Sequence, residues 1–235
     1  KRQALVAAIY LWAQMYTSKL VTREEKNRLL GFIPMFISGV LFFGIFQQQF
    51  TVMTIYSDVR LDRHMFGWEI PPSLVQSINP IFIVIFSAVF ATMWTKLGDR
   101  QWSTPVKFGA ANIVIGISLF FFLPFSGAEA NSTPMFVIVF ILFLFTMAEL
   151  LLSPVGNALA TKVAPVAFPS RMMAVWMMAV AMGTSLAGSL ASFYNPDDAG
   201  AENTFFISLG VVSIVLGAIL LVLSRWVVKK FSTFR

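Results

Sequence analysis

Cysteine is absent from the 235 residues and histidine occurs once, at His64. The first absence excludes disulfides, thiolate metal sites and a cysteine nucleophile; the second excludes a multi-histidine metal cluster. Charge is scarce as well. Asp, Glu, Lys and Arg together make up 12% of the chain, about half the share found in soluble domains. There is no glycine-rich phosphate loop, no metal-ligand spacing and no nucleophile–histidine–acid set. An enzyme is therefore not expected, nor is a cofactor or a nucleic-acid partner. The chain also lacks an initiator Met and opens Lys1-Arg2-Gln3 in place of a signal peptide, so a portion of a longer protein is expected.

What is plentiful is apolar surface. Hydrophobic residues make up 57% of the chain and aromatic residues 15%, with 25 Phe, and the mean hydropathy is +0.78. Six apolar stretches stand out, over residues 32–56, 72–95, 105–125, 134–160, 172–194 and 204–228. Each reaches the roughly 20 residues that cross about 30 Å of hydrocarbon at about 1.5 Å per residue. Lipid offers no backbone hydrogen-bond partners, so spans this long and continuous are helices. The expected class is an all-α membrane protein. A shorter run, Ala4 to Tyr16, reads as an interfacial helix or the end of a spanning one. The charged stretch from Lys19 to Arg28 reads as a linker.

The basic residues test the count. With six crossings, one side receives 15 of the Lys and Arg residues and the other receives two, Arg60 and Arg63; if the opening run also crosses, Lys1 and Arg2 change sides and the split is 13 to 4. That asymmetry places the basic loops and the C-terminus in the cytoplasm. The opposite loops carry Asp58, Asp62, Glu69, Glu129, Asp197, Asp198 and Glu202, read here as solvated charges, and His64 reads as a solvated loop residue. Six helices with both ends on one side is half of a twelve-helix transporter. No close internal repeat is visible.

Only one acidic residue falls inside a span. Glu149 lies near the middle of 134–160 with no basic residue within a helical turn. A carboxylate there costs on the order of several kcal/mol unless it faces water, meets a cation or takes a proton. Ser153 follows four residues on, on the same helix face and about 6 Å along the axis. Pro154 then removes a backbone donor beside the carboxylate, and Gly156 keeps the next turn narrow. A carboxylate, a hydroxyl and a helix break together suit a midplane binding site. Asn79-Pro80 repeats the theme in the second span, where the amide either joins such a site or bonds a neighbouring helix. Gln47, Gln48 and Gln49 interrupt the first span, and at least one is expected to line a cavity. Trp176 stands away from either interface, as a rigid wall or as packing. The stripe Ala179, Gly183, Ala187, Ala191 reads as a close helix contact.

The motifs ELLLSPVGNALATKVAP (149–165) and RMMAVW (171–176) resemble the tenth and eleventh helices of the proton-dependent oligopeptide transporters of the major facilitator superfamily. Glu149, Ser153-Pro154 and Trp176 match that family's signature. SINPIFIV (77–84) is similar to its eighth helix, LFFGIFQQ (41–48) to its seventh and KLGDRQ (96–101) to its next basic loop.

The resemblance implies a C-terminal half of a bacterial member. Residues 1–31 would hold the end of an inserted helix and a cytoplasmic linker, 32–228 helices seven to twelve, and 229–235 a cytoplasmic tail. It implies import of di- and tripeptides with protons across the cell membrane, with the N-terminal six-helix half of the same protein and the lipid bilayer as partners. Glu149 would receive the peptide ammonium, and Ser153 and Asn79 would bond near it. Phe43, Phe46 and Trp176 would line pockets or gates, with Gln48 also in the substrate set. Many members carry Trp at the position of Phe43, and Gln47 provides no carboxyl to carry a proton. Carriage of another small solute such as nitrate, or a non-transporting membrane subunit, are the competing readings; the carboxylate of Glu149 would repel an anion.

Overall fold

The computed structural model describes residues 2–65 and 67–231. Lys1, Phe66 and residues 232–235, the end of the expected tail, lie outside the described residues. Helices run in the order α1 (Arg2–Thr17), α2 (Arg23–Phe46), α3 (Val52–Val59), α4 (Pro72–Val75), α5 (Ile78–Leu97), α6 (Thr104–Phe120), α7 (Met135–Val163), α8 (Pro169–Ala191) and α9 (Ala199–Phe231). Six stretches are long and apolar enough to cross a bilayer: Arg23–Val59, Pro72–Arg100, Thr104–Phe125, Met135–Val163, Pro169–Ala191 and Ala199–Phe231. All six expected crossings are present. A small antiparallel pair, β1 (His64–Met65) with β2 (Trp68–Glu69), fills the loop after α3. Its turn passes through Gly67 at φ 81°, where a side chain would be strained, and His64 is exposed on it.

The first crossing helix starts earlier than the apolar run suggests. Thr22 caps α2: its hydroxyl accepts the Glu25 N–H at 3.3 Å, and the Glu25 carboxylate accepts the Thr22 N–H at 2.8 Å. This reciprocal cap starts the helix nine residues before position 32 and shortens the expected linker to residues 18–22. The other Glu25 oxygen accepts the Val166 N–H at 2.8 Å and so ties down the α7–α8 loop. Helix α1 lies against α8, burying Ala8 and Met15 and leaving Leu5, Val6, Ile9 and Tyr10 exposed. Trp12 of α1 stacks on Tyr16 and donates its indole N–H to the Leu29 carbonyl at 3.3 Å.

The tightest seam joins α6 and α9, which run antiparallel. A Cβ on Gly109 would come within 2.9 Å of the Gly217 carbonyl oxygen, and one on Gly116 within 2.7 Å of the Gly210 carbonyl oxygen. Backbone therefore rests on backbone at two levels. Between them the Ser213 hydroxyl donates to the Asn112 carbonyl at 2.7 Å, and the Asn112 amide donates to the Ser38 hydroxyl of α2 at 2.7 Å. The small-residue stripe of α8 packs as expected. Ala179 and Ala187 are buried, and a Cβ on Gly183 would meet the Val40 carbonyl of α2 at 2.7 Å.

One pair of loop charges differs from expectation. Arg60 and Glu202 are not solvated but buried, with Glu202 fully enclosed. Arg60 Nη2 lies 3.3 Å from Glu202 Oε2, which also accepts the Gly127 N–H at 2.9 Å, while Oε1 accepts the Tyr194 hydroxyl at 2.8 Å. The same guanidinium donates to the carbonyls of Ala128 and Pro196. The Arg60 carbonyl accepts the Thr133 N–H at 3.0 Å, and Thr133 shares a 2.9 Å hydrogen bond with the Tyr56 phenol. All the loops at this end converge on one ion pair, which replaces the water that the charges would otherwise need.

Arg60→Met leaves a buried carboxylate unpaired, so the intact protein should lose about 3–5 kcal/mol in denaturant unfolding. Glu69→Gln breaks a pair in which the carboxylate is exposed and should cost under about 1 kcal/mol. Equal losses would show that the Arg60–Glu202 pair is not the fastening of this end.

Candidate functional site

Helix α7 carries the site. Thr146, Glu149, Ser153 and Asn157 are spaced three, four and four residues apart, so they form one polar stripe along a helix that is otherwise apolar. From Glu149 to Asn157 the stripe rises about 12 Å. Glu149 and Ser153 are half-buried. The Glu149 Oε2 and the Ser153 Oγ have no hydrogen-bond partner among the described residues. Both oxygens are buried, so the stripe holds hydrogen-bonding capacity that no described residue uses.

Asn79 reaches the same stripe one turn away. Its amide donates to the Thr146 hydroxyl at 3.1 Å, and that hydroxyl donates in turn to the Leu142 carbonyl at 2.9 Å. The amide therefore fastens α5 to α7 beside Glu149; among the described residues it makes no hydrogen bond to the carboxylate.

The structure gives Trp176 a different place from a pocket wall. Its ring is fully enclosed, with Phe32, Phe43 and Phe108 at centroid distances of 6.3, 6.1 and 5.9 Å. It occupies a slot made by two glycines: a Cβ on Gly39 would sit 2.8 Å from the ring, and one on Gly156 2.1 Å. Only its N–H reaches outward, donating to Asn157 Oδ1 at 2.9 Å. Trp176 thus packs the core and aims Asn157, whose side chain is exposed at the end of the stripe. Asn157 went unnoticed in the sequence, although its four-residue step from Ser153 was the available signal.

Phe43 and Phe46 are buried in an aromatic cluster that joins α2 to α7 and α8. Phe46 meets Phe145 at 6.1 Å and Phe42 at 5.7 Å. Of the three consecutive amides, Gln48 is not free for a substrate. Its amide nitrogen donates to the carbonyls of Gly44 at 3.0 Å and Ala187 at 3.2 Å, and its oxygen accepts the Thr51 hydroxyl at 3.0 Å. These bonds stabilise the 3₁₀ turn Gln47–Phe50 that separates α2 from α3. Gln47 bonds Thr184 at 3.1 Å. Gln49 is fully buried with both amide atoms unpartnered among the described residues. No group of three or more His, Asp or Glu that could hold a metal occurs among the described residues.

Six apolar crossings, one of which carries a polar stripe with Glu149 at mid-span, define a multi-pass membrane protein with the half-bundle of a major facilitator fold. The sequence pattern of the POT family matches residues 2–220, and the chain belongs to that family. It is 40% identical over 222 residues to the transporter YclF of Bacillus subtilis, covering 94% of this chain and 44% of that protein. It is 36% identical over 239 residues to a di-/tripeptide transporter of Lactococcus lactis, covering 98% and 47%. A crystal structure of a POT peptide transporter bound to alafosfalin superposes with a TM-score of 0.89 at 33% identity, covering 97% of this chain and 47% of that one. The chain thus spans about half the length of the curated relatives it matches.

Because Gly156 makes room for the indole, Gly156→Ala should lower stability by about 1–3 kcal/mol. Adding Trp176→Phe removes the ring atoms that the new methyl meets and should recover part of that loss. A double-mutant cycle in thermal unfolding reads the coupling, and strict additivity would mean that the ring does not occupy the slot.

Proposed function

We propose that this chain is the C-terminal half of a secondary transporter that imports di- and tripeptides with protons by alternating access. The observation that carries the reading is the half-buried Glu149 carboxylate with an oxygen left unpartnered beside the unpartnered hydroxyl of Ser153. In hydrocarbon such a group persists only where water, a proton or a cation reaches it. A peptide's ammonium is a cation of the right size, and Ser153 stands about 6 Å further along the same face to accept or donate next to it. The family membership and the relatives named for peptide transport support a peptide as the cargo. The other wall of the chamber is the N-terminal six-helix half of the same protein.

Within this reading Glu149 is neutralised either by a proton or by the peptide's ammonium. The exchange biases the two halves between their inward- and outward-facing arrangements. Asn79 holds α5 at a set distance from the carboxylate through Thr146. Phe43 and Phe46, packed against Trp176 and Phe145, form the apolar floor on which substrate side chains rest. The end of the bundle that gathers the start of α2, the loops after α5 and α7 and the close of α9, where most of the described Lys and Arg residues lie, faces the cytoplasm, and the bilayer is the cell membrane.

Proton-driven uptake of a dipeptide by the intact protein in liposomes is the test. Glu149→Gln should weaken dipeptide affinity about tenfold or more, the range expected for loss of a charge-assisted hydrogen bond. It should leave the weak binding of a dipeptide analogue without its ammonium nearly unchanged. If the variant binds and carries ordinary dipeptides as the wild type does, Glu149 is not the ammonium site.

A further inference from the structure

At the basic end of the bundle the close of α5, the turn after it and the start of α6 stand apart from α7 and leave a cleft of about 740 Å³. Trp94, Asp99, Gln101, Trp102, Lys107 and Lys162 contribute to its walls. Lys107 is 7% exposed. Its ammonium lies 2.8 Å from the Gln101 side-chain oxygen and 3.9 Å from the centre of the Trp94 ring, and it makes no ion pair among the described residues. Lys162, across the cleft, opposes it electrostatically. Asp99 also lines the cleft but makes no ion pair with either lysine among the described residues. Thr104, the first residue of α6, also lines the cleft, and Ser103 provides no side-chain cap, so the positive end of that helix adds to the field.

A buried ammonium with one neutral acceptor and a second ammonium facing it is an arrangement that an anion completes. The position selects the kind of anion. Trp94 and Trp102 meet at 6.2 Å, and Trp102 is 54% exposed, in the way indoles gather at the level of lipid headgroups. Pro154 and Lys162, on the α7 wall of the cleft, lie about 140° and 220° around that helix from Glu149. The α7 wall of the cleft is therefore turned away from the Glu149 carboxylate.

We propose that this cleft binds the phosphate of an anionic membrane lipid, held by Lys107 and Lys162, with the lipid's glycerol end against Trp94 and Trp102. This goes beyond the transport reading and stands whichever solute the protein carries.

Native mass spectrometry of the intact protein, titrated with phosphatidylglycerol or phosphatidylcholine, tests it. The wild type should retain phosphatidylglycerol about fivefold or more over phosphatidylcholine for each lysine that acts near the headgroup. Lys162→Gln, an exposed position, should lose most of that preference while dipeptide binding stays at the wild-type level, and Lys162→Arg should keep both. Inorganic phosphate at matched concentration should not displace the lipid. Equal retention of the two lipids, an unchanged preference in Lys162→Gln, or loss of dipeptide binding together with the preference would each overturn the site. Displacement by inorganic phosphate would reassign the cleft to a free anion, and a short cross-link from Lys162 to the N-terminal half that excludes lipid would reassign it to a protein contact.

Discussion

Inside hydrocarbon a polar atom without a partner is costly, and that single constraint orders this molecule. Most of the polar side chains within the bundle answer one another. Asn112 bridges Ser38 and Ser213, Asn79 meets Thr146, and Gln48 bonds two helix carbonyls and a hydroxyl. Arg60 and Glu202 neutralise each other where the loops gather. Against that background Glu149 stands out as the one acidic side chain in the middle of a span, and its Oε2 and the Ser153 hydroxyl one turn on have no hydrogen-bond partner among the described residues. The same criterion distinguishes Lys107, whose ammonium is buried against an amide and an indole and makes no ion pair among the described residues.

The crossings were legible in the sequence because length and apolarity are properties of a single helix, and so were the alternating basic loops. The ends were less so. Hydropathy sees the change from charged to apolar at position 32, whereas helix geometry responds to the Thr22–Glu25 cap, which lies among charged residues. The glycine seam between α6 and α9 was invisible for another reason. Gly109, Gly116, Gly210 and Gly217 acquire meaning only once two segments a hundred residues apart are known to lie side by side.

The site divides in the same way. Glu149 could be found from its own position, since a lone acid in an apolar run is anomalous whatever surrounds it. Trp176 and Gln48 could not be assigned, because an inward polar or aromatic residue serves packing or binding according to its neighbours. Those neighbours, the two glycines around the indole and the carbonyls around the amide, come from other helices. Arg60 and Glu202 appeared to be ordinary loop charges because their burial is made by loops closing over them from several parts of the chain. Asn157 had a local signal in its spacing, and its orientation by Trp176 did not.

The seam between α6 and α9 also bears on how such a bundle can deform. Two helices whose carbonyls rest against each other's Cα atoms at two heights cannot slide without backbone collision, so they act as one stiff beam. Helix α5 is fastened differently. Ile81, Val84, Ile85 and Val89 on its outer face are half or more exposed, and what holds it beside the Glu149 face is the packing of Phe82 and Phe86 on Phe143 with one amide–hydroxyl bond from Asn79. Bending stiffness is thus unevenly distributed, high along the rear pair and low along α5. Any rearrangement that opens or shuts the space in front of Glu149 would concentrate its strain in the swing of that one loosely held helix.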